Sequence, residues 1–226
     1  MKIDVINLGL IEYGRAFDMQ KALTEERRGH RIPDTLLLVE HPPTITLGRN
    51  ADRAHVVYSP QELDAHGIAR FDTDRGGDVT YHGPGQLVGY PILDLHQPPH
   101  SPDLHLYLRR IEETLILALR EFGIEGERFS RNTGVWVMGD CRPPEKIAAI
   151  GIRVSRWITR HGFALNVSPK LGHFASIVPC GIHEYGVTSI ARVLDRSISI
   201  EEVTPAVVAS FAKVFSLEPE LRTALR

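Results

Sequence analysis

The chain has two cysteines, and only one of them sits where a nucleophile could work. Cys180 lies in Ile177-Val178-Pro179-Cys180-Gly181-Ile182. A free thiol is ordinarily a small buried hydrophobe. Here proline fixes the backbone before the thiol, and glycine after it removes a side chain that would crowd an incoming acyl group. A backbone amide beside such a nucleophile can also donate to a tetrahedral oxyanion. Cys141 lies in the polar turn Gly139-Asp140-Cys141-Arg142-Pro143-Pro144 and reads as an incidental loop thiol.

Lys146 opens the apolar run Ile147-Ala148-Ala149-Ile150-Gly151-Ile152. A lysine at a strand's edge is usually solvated. If that strand lies under a site, desolvation lowers the lysine pKa. A neutral lysine could take the thiol proton, whereas a charged one would stabilise the thiolate. Both favour a nucleophile whose ordinary pKa is about 8.5, and the sequence leaves base and fixed cation open.

The third feature is Arg75-Gly76-Gly77-Asp78-Val79-Thr80-Tyr81-His82-Gly83-Pro84-Gly85-Gln86, with four glycines and a proline between two strand-like runs. Glycine permits positive φ and close backbone approach to a ligand, and Arg75 and His82 could steer a carbonyl or carboxylate. A glycine-rich hairpin without a ligand explains the same residues. No Gly-Lys-Ser/Thr follows, so it is not a P-loop, and Val88 stands where a dinucleotide fingerprint needs its third glycine. Of the eleven histidines, His96, His100 and His105 straddle prolines with no metal-ligand spacing, and are expected to be solvated loop residues. His82 and His161 sit in glycine-flanked segments that could line a pocket. No metal site is expected.

These residues need a scaffold. The patterning predicts strands over 2–8, 35–39, 44–47, 68–71, 79–81, 86–93, 135–138, 147–154 and 157–167. Helices are expected over 12–28, briefly after Ser59-Pro60-Gln61-Glu62, over 103–122, and from Ser199 onward, with Pro205 kinking or splitting the last. The irregular order favours α+β, a mixed sheet flanked by helices, over regular βαβ alternation. One domain over 1–226 is the simplest organisation, with a C-terminal helical region of about 199–226 packed on it.

Apolar residues make up 42% and charged residues 24% of 226 residues, an ordinary globular composition. A net charge of −2 without a basic block argues against nucleic acid. No apolar run reaches the ~20 residues a membrane helix needs, and Met1-Lys2-Ile3-Asp4 offers no signal-peptide core. Two unpaired thiols suit a reducing compartment, so a cytoplasmic monomer that does not engage membranes is expected.

Three segments together resemble one family. They are Arg75 through Gln86 continuing as Leu-Val-Gly-Tyr-Pro, Lys146-Ile-Ala-Ala-Ile-Gly with His161-Gly-Phe-Ala-Leu-Asn, and Val178-Pro-Cys-Gly-Ile; Gly186-Val-Thr-Ser fits the same pattern. They are similar to the octanoyltransferases of lipoate biosynthesis. The resemblance implies transfer of an octanoyl or lipoyl group from acyl carrier protein to a lysine of lipoyl domains, in 2-oxo acid dehydrogenases and the glycine cleavage H protein, with no cofactor. It implies that Cys180 carries the acyl-thioester and that Lys146 lowers the thiol pKa. The substrate would lie against Arg75, Gly76, Gly77, Asp78, Val79, Thr80, Tyr81 and His82, against Ala149, Ile150 and Gly151, and against Gly162, Phe163 and Ala164. The implied fold is that of the biotin and lipoate ligase catalytic domains. An ATP-dependent lipoate–protein ligase and a non-catalytic binder of acylated carrier protein are the competing readings; a ligase would need no cysteine nucleophile. The Arg142-Pro143-Pro144-Glu145 insert departs from the family pattern.

Overall fold

A computed structural model describes residues 1–129, 132–139, 143–178 and 185–223. Among them the central element is a mixed sheet. Its strands are β1 (Lys2–Leu10), β2 (Asp34–Glu40), β6 (Gln86–Ile92), β7 (Gly126–Phe129), β8 (Asn132–Val137), β9 (Glu145–Ser155), β10 (Ile158–Asn166) and β12 (Glu218–Arg222). They lie in the order β12-β1-β2-β6-β10-β9-β8-β7, and the short β11 (Gly186–Val187) pairs with β9. The β12–β1, β1–β2 and β11–β9 pairings are parallel and the rest antiparallel.

The middle strands are apolar on both faces because both are covered. On β2, Leu36 and Leu38 enter one core while Leu37 and Val39 enter the other. The first core is closed by α3 (Leu104–Arg120) and α5 (Ile200–Phe215), the second by α1 (Tyr13–Arg28). The stripe Tyr107, Ile111, Leu115, Leu119 makes α3 a one-faced helix, and Asp103 starts it by accepting from the Leu106 amide at 3.0 Å. Ser199 and Glu202 form a capping box on α5, where Phe211 and Phe215 stack at 4.3 Å.

A second sheet, β4-β3-β5, is made of β3 (Thr44–Leu47), β4 (Ala69–Asp72) and β5 (Val79–His82). It has its own small core, in which Ile45, Leu47, Val79 and Tyr81 meet Leu63 of α2 (Pro60–Ala65) and Phe174 of the 3₁₀ turn Leu171–Ser176. A last short helix, α4 (Ile190–Leu194), follows β11.

The α+β class agrees with expectation, but two local expectations do not. Pro205 does not split α5, which runs unbroken for 16 residues. Pro205 and Glu201 are both solvent-exposed, on the side of α5 where a carbonyl without its helical donor costs least. The C-terminal region is also not wholly helical, because Glu218–Arg222 forms β12 against β1. Among the described residues no helix is long and apolar enough to cross a membrane.

Candidate active site

A cavity of about 560 Å³ lies between the main sheet and the turn that carries Arg75 through Thr80. Its floor is made of small residues by register. Val88, Ala164 and Ala149 stand opposite one another across β6, β10 and β9, and Gly162 stands opposite Gly151. Direct cross-strand partners share a face, so this patch of sheet offers methyl groups or bare backbone. The roof rests on it closely. A Cβ at Gly151 would come within 3.0 Å of the Arg75 side chain and 3.1 Å of the Gly76 carbonyl. Gly77, at φ +86°, makes the turn that brings the roof down.

Arg75 is buried and pins the roof to β3. Its Nε donates to Thr46 Oγ1 at 3.2 Å, its Nη2 to the Thr46 carbonyl at 2.6 Å, and its Nη1 to the Gly76 carbonyl at 3.0 Å. The Gly76 amide donates to the Ile152 carbonyl of β9 at 2.9 Å. Leu104, His105 and Leu108 from the start of α3 line another part of the wall.

Lys146 reaches the cavity from β9 and is only 8% exposed. Its Nζ stands 4.7 Å from the centre of the Trp136 ring, a cation–π contact. Trp136 is set by Phe129 and Tyr185, whose rings lie 5.4 and 5.6 Å away. Val187 pairs with Lys146, and the Thr188 amide donates to the Lys146 carbonyl at 3.0 Å. The lysine is thus tied to the chain that closely follows Cys180 in sequence. Cys180 itself lies outside the described residues, as does Cys141.

The remaining wall holds His82 and His161, with His41 in ring contact behind His82, and burial keeps all three neutral. Burial, aided by the neighbouring His41, pushes His82 down to about 3. Burial pushes His41 down to about 4, and the same holds for His161, where the Asp74 carboxylate opposes the effect without overcoming it. His41 Nδ1 donates to the Ile11 carbonyl at 2.7 Å, leaving Nε2 to accept from Tyr90 Oη at 2.7 Å. His161 adopts φ +58°, donates from Nε2 to Asp74 at 2.7 Å, and stacks on Phe17.

An apolar cavity with a buried lysine and a glycine-rich roof suits transfer of an acyl group. The lipoyl protein ligase A/B catalytic domain family matches residues 12–212. The octanoyltransferase of Chloroflexus aggregans is 48% identical over 218 residues, covering 96% of each chain. That of Gloeobacter violaceus is 49% identical over 217 residues, covering 96% of this chain and 91% of its own. The chain belongs to the octanoyltransferase family.

This family member is an acyltransferase. Its fold is also that of more distant solved structures. The bipartite lipoate protein ligase of Thermoplasma acidophilum matches with a TM-score of 0.74 at 16% identity, over 100% of this chain and 88% of that one. Biotin protein ligase of Aquifex aeolicus, in complex with biotin and ATP, matches at 0.54 and 12%, over 96% and 71%.

In the acyltransferase, the sequence-named residues that line the cavity are Lys146, Arg75 to Thr80, His82, Ala149, Ile150, Gly151, Gly162, Phe163 and Ala164. Tyr81 does not line it. Its ring lies in the small core, where its hydroxyl meets His173 Nδ1 at 2.8 Å. His100 is not a solvated loop residue: its side chain is buried against Asp34. His105 is exposed at the cavity wall, and His96 is exposed. Among the described residues no three His, Cys, Asp or Glu side chains converge as a metal site. Gln86, Asn166, Tyr13 and Tyr90 also line the cavity, although little in their sequence context marks them for a role there. The available signal was a polar side chain at the end of an otherwise apolar strand, as at Gln86 and Asn166.

Proposed function

We propose that residues 1–226 act as one catalytic domain that moves an octanoyl group from acyl carrier protein to the lysine of a lipoyl domain, by way of a thioester on Cys180. The observation that carries this reading is Lys146: a buried lysine aimed into an apolar cavity, on the strand that pairs with the segment after Cys180. The thiol attacks the donor thioester and the carrier's thiol departs; the acceptor amine then attacks the enzyme thioester, giving a stable amide and restoring the cysteine. Lys146 favours the thiolate in the first step. The small-residue floor accommodates the tail, at about 0.8 kcal/mol per buried CH₂. The 48% identity to an octanoyltransferase supports the choice of acyl group and of acceptor.

The test is intact mass after exposure to octanoyl-carrier protein, with octanoic acid plus ATP as the parallel arm. An octanoyl adduct that maps to Cys180 and leaves with hydroxylamine is expected in the first arm. Transfer to a lipoyl domain only in the ATP arm would overturn the proposal.

A further inference from the structure

One wall of the cavity is a chain of hydrogen bonds that can run in only one direction. Arginine has donors and no acceptor, so Thr46 Oγ1 accepts from Arg75, through Nε at 3.2 Å and Nη2 at 3.0 Å. The threonine proton is then free to point at His82 Nε2, 3.5 Å away. His82 therefore carries its proton on Nδ1, which donates to Gln86 Oε1 at 2.8 Å. The Gln86 amide nitrogen donates to the Tyr81 carbonyl at 3.2 Å and to Asn166 Oδ1 at 2.9 Å. The Asn166 nitrogen donates to the Thr188 carbonyl at 2.9 Å, and the Thr188 amide donates to the Lys146 carbonyl at 3.0 Å.

Every side chain in this chain is buried, from Thr46 at 0% exposure to Arg75 at 7%. Turning either amide would set oxygen against oxygen and nitrogen against nitrogen, at Thr188 or at His82. The two ends are parts of the site: Arg75 fixes the roof, and Thr188 holds the backbone of Lys146. Gln86 and Asn166 stand opposite each other in the register of β6 and β10, which is what joins the two halves.

We propose that Gln86 and Asn166 are positioning residues for acyl transfer, holding the Arg75 roof and the Lys146 strand in one fixed relation through this relay. The proposal rests on the acyltransferase reading, and it is independent of the thioester on Cys180. What the relay requires of position 166 is an acceptor toward Gln86 and a donor toward Thr188. Asparagine supplies both; ionised aspartate supplies only acceptors, whereas protonated aspartic acid regains the donor. Burial favours the protonated acid.

The experiment measures acyl transfer to a lipoyl-domain lysine from octanoyl-carrier protein, between about pH 5 and about pH 8.5, for the parent chain, Asn166→Asp, Gln86→Glu and Asn166→Ala. At the alkaline end each variant should be slower than the parent by about tenfold or more, the effect of one broken buried hydrogen bond. As pH falls, the ratio of variant to parent should rise for Asn166→Asp and Gln86→Glu and stay flat for Asn166→Ala, which never regains a donor. Parent-like rates at all pH values, or a flat ratio for the two acid variants, would overturn the proposal. Circular dichroism checks folding, and if Asn166→Asp does not fold, Gln86→Glu is read by the same criterion. Whether the parent carries an adduct on Cys180, measured in the same samples, decides the thioester separately.

Discussion

The central strands carry a buried polar cluster at each end, and the two solve the same problem differently. At the cavity end, His41, His82, Gln86, Asn166 and Tyr90 are linked by neutral hydrogen bonds. At the other end, Asp34 at the start of β2 is a buried carboxylate. Its Oδ1 accepts from Arg27 Nε at 2.7 Å and the Asp94 amide at 3.1 Å, and its Oδ2 accepts from His100 Nε2 at 2.7 Å. Arg27 also stands 3.8 Å from Asp94. The cluster around Asp34 is thus ionic, while burial keeps His41, His82 and His161 at the cavity end neutral. Lys146 on β9 and Arg75 in the roof are the basic groups set against buried histidines that stay neutral.

That contrast should be sharpest in paired substitutions. Lys146→Ala is expected to slow acylation by about 10²–10⁴-fold and to move its pH dependence upward, as the thiol reverts toward about 8.5. Its stability should stay within about 1 kcal/mol of the parent, because relief of a buried ammonium offsets the lost ring contact. Rate against pH in single-turnover acylation checks the first; an unchanged profile would show that another group sets the thiol pKa. Asp34→Ala should do the reverse. It leaves Arg27 and His100 without their carboxylate, at a cost of about 3–5 kcal/mol, while folded enzyme keeps its rate within about twofold. Chemical denaturation beside an activity assay checks both, and a large activity loss in still-folded protein would break the division between the two ends.

Acid should separate the ends as well. His41, His82 and His161 have folded values of about 4, about 3 and about 4, below the ordinary 6.5. As pH falls from about 6.5 to about 4 the unfolded chain binds protons that the folded wall refuses, so stability falls by up to about 1.4 kcal/mol per pH unit for each histidine. Asp34 works in a lower window. Burial alone would raise its carboxyl, but His100 and Arg27 outweigh burial and hold it below its ordinary value. Its contribution is therefore complete above about pH 4 and lost only below that. His41→Asn, which keeps a donor for the Ile11 carbonyl, should remove about one proton of slope between pH 4 and 6.5 (order-of-magnitude linkage). Asp34→Asn should leave that slope intact. Denaturation midpoints across pH measure both, and a slope unaffected by His41→Asn would show that His41 titrates normally in the fold.

What the sequence made legible follows from where the information is stored. The buried strand Leu36-Leu37-Leu38-Val39 and the striped helix α3 announce themselves because their burial is periodic. β7 (Gly-Glu-Arg-Phe) and β12 (Glu-Pro-Glu-Leu-Arg) do not, being short edge strands whose charged residues are strands only because a neighbour pairs with them. At the site, Lys146 and the glycine-rich roof were legible only together, through the segments that jointly resemble the octanoyltransferases. Gln86 and Asn166 were not, since their meaning comes from standing opposite each other on strands 80 residues apart. His100 was hidden for the same reason: its partner Asp34 is 66 residues away.

Tyr81 is the smallest test and the most discriminating for the cavity's outline. It lies in the roof-bearing segment, between Thr80 and His82, which both line the cavity. Its own ring packs on Phe174 at 5.2 Å and its hydroxyl meets His173 in the small core. Tyr81→Phe keeps the ring, so it should lose one partly buried hydrogen bond, about 1 kcal/mol of stability, and leave the acylation rate and KM within about twofold. Thr80→Val, changing the neighbour that faces the cavity, should shift KM for the acyl donor more than Tyr81→Phe does. A larger kinetic effect from Tyr81→Phe would mean that substrate reaches through the small sheet, and that the division between cavity face and core face on β5 is drawn in the wrong place.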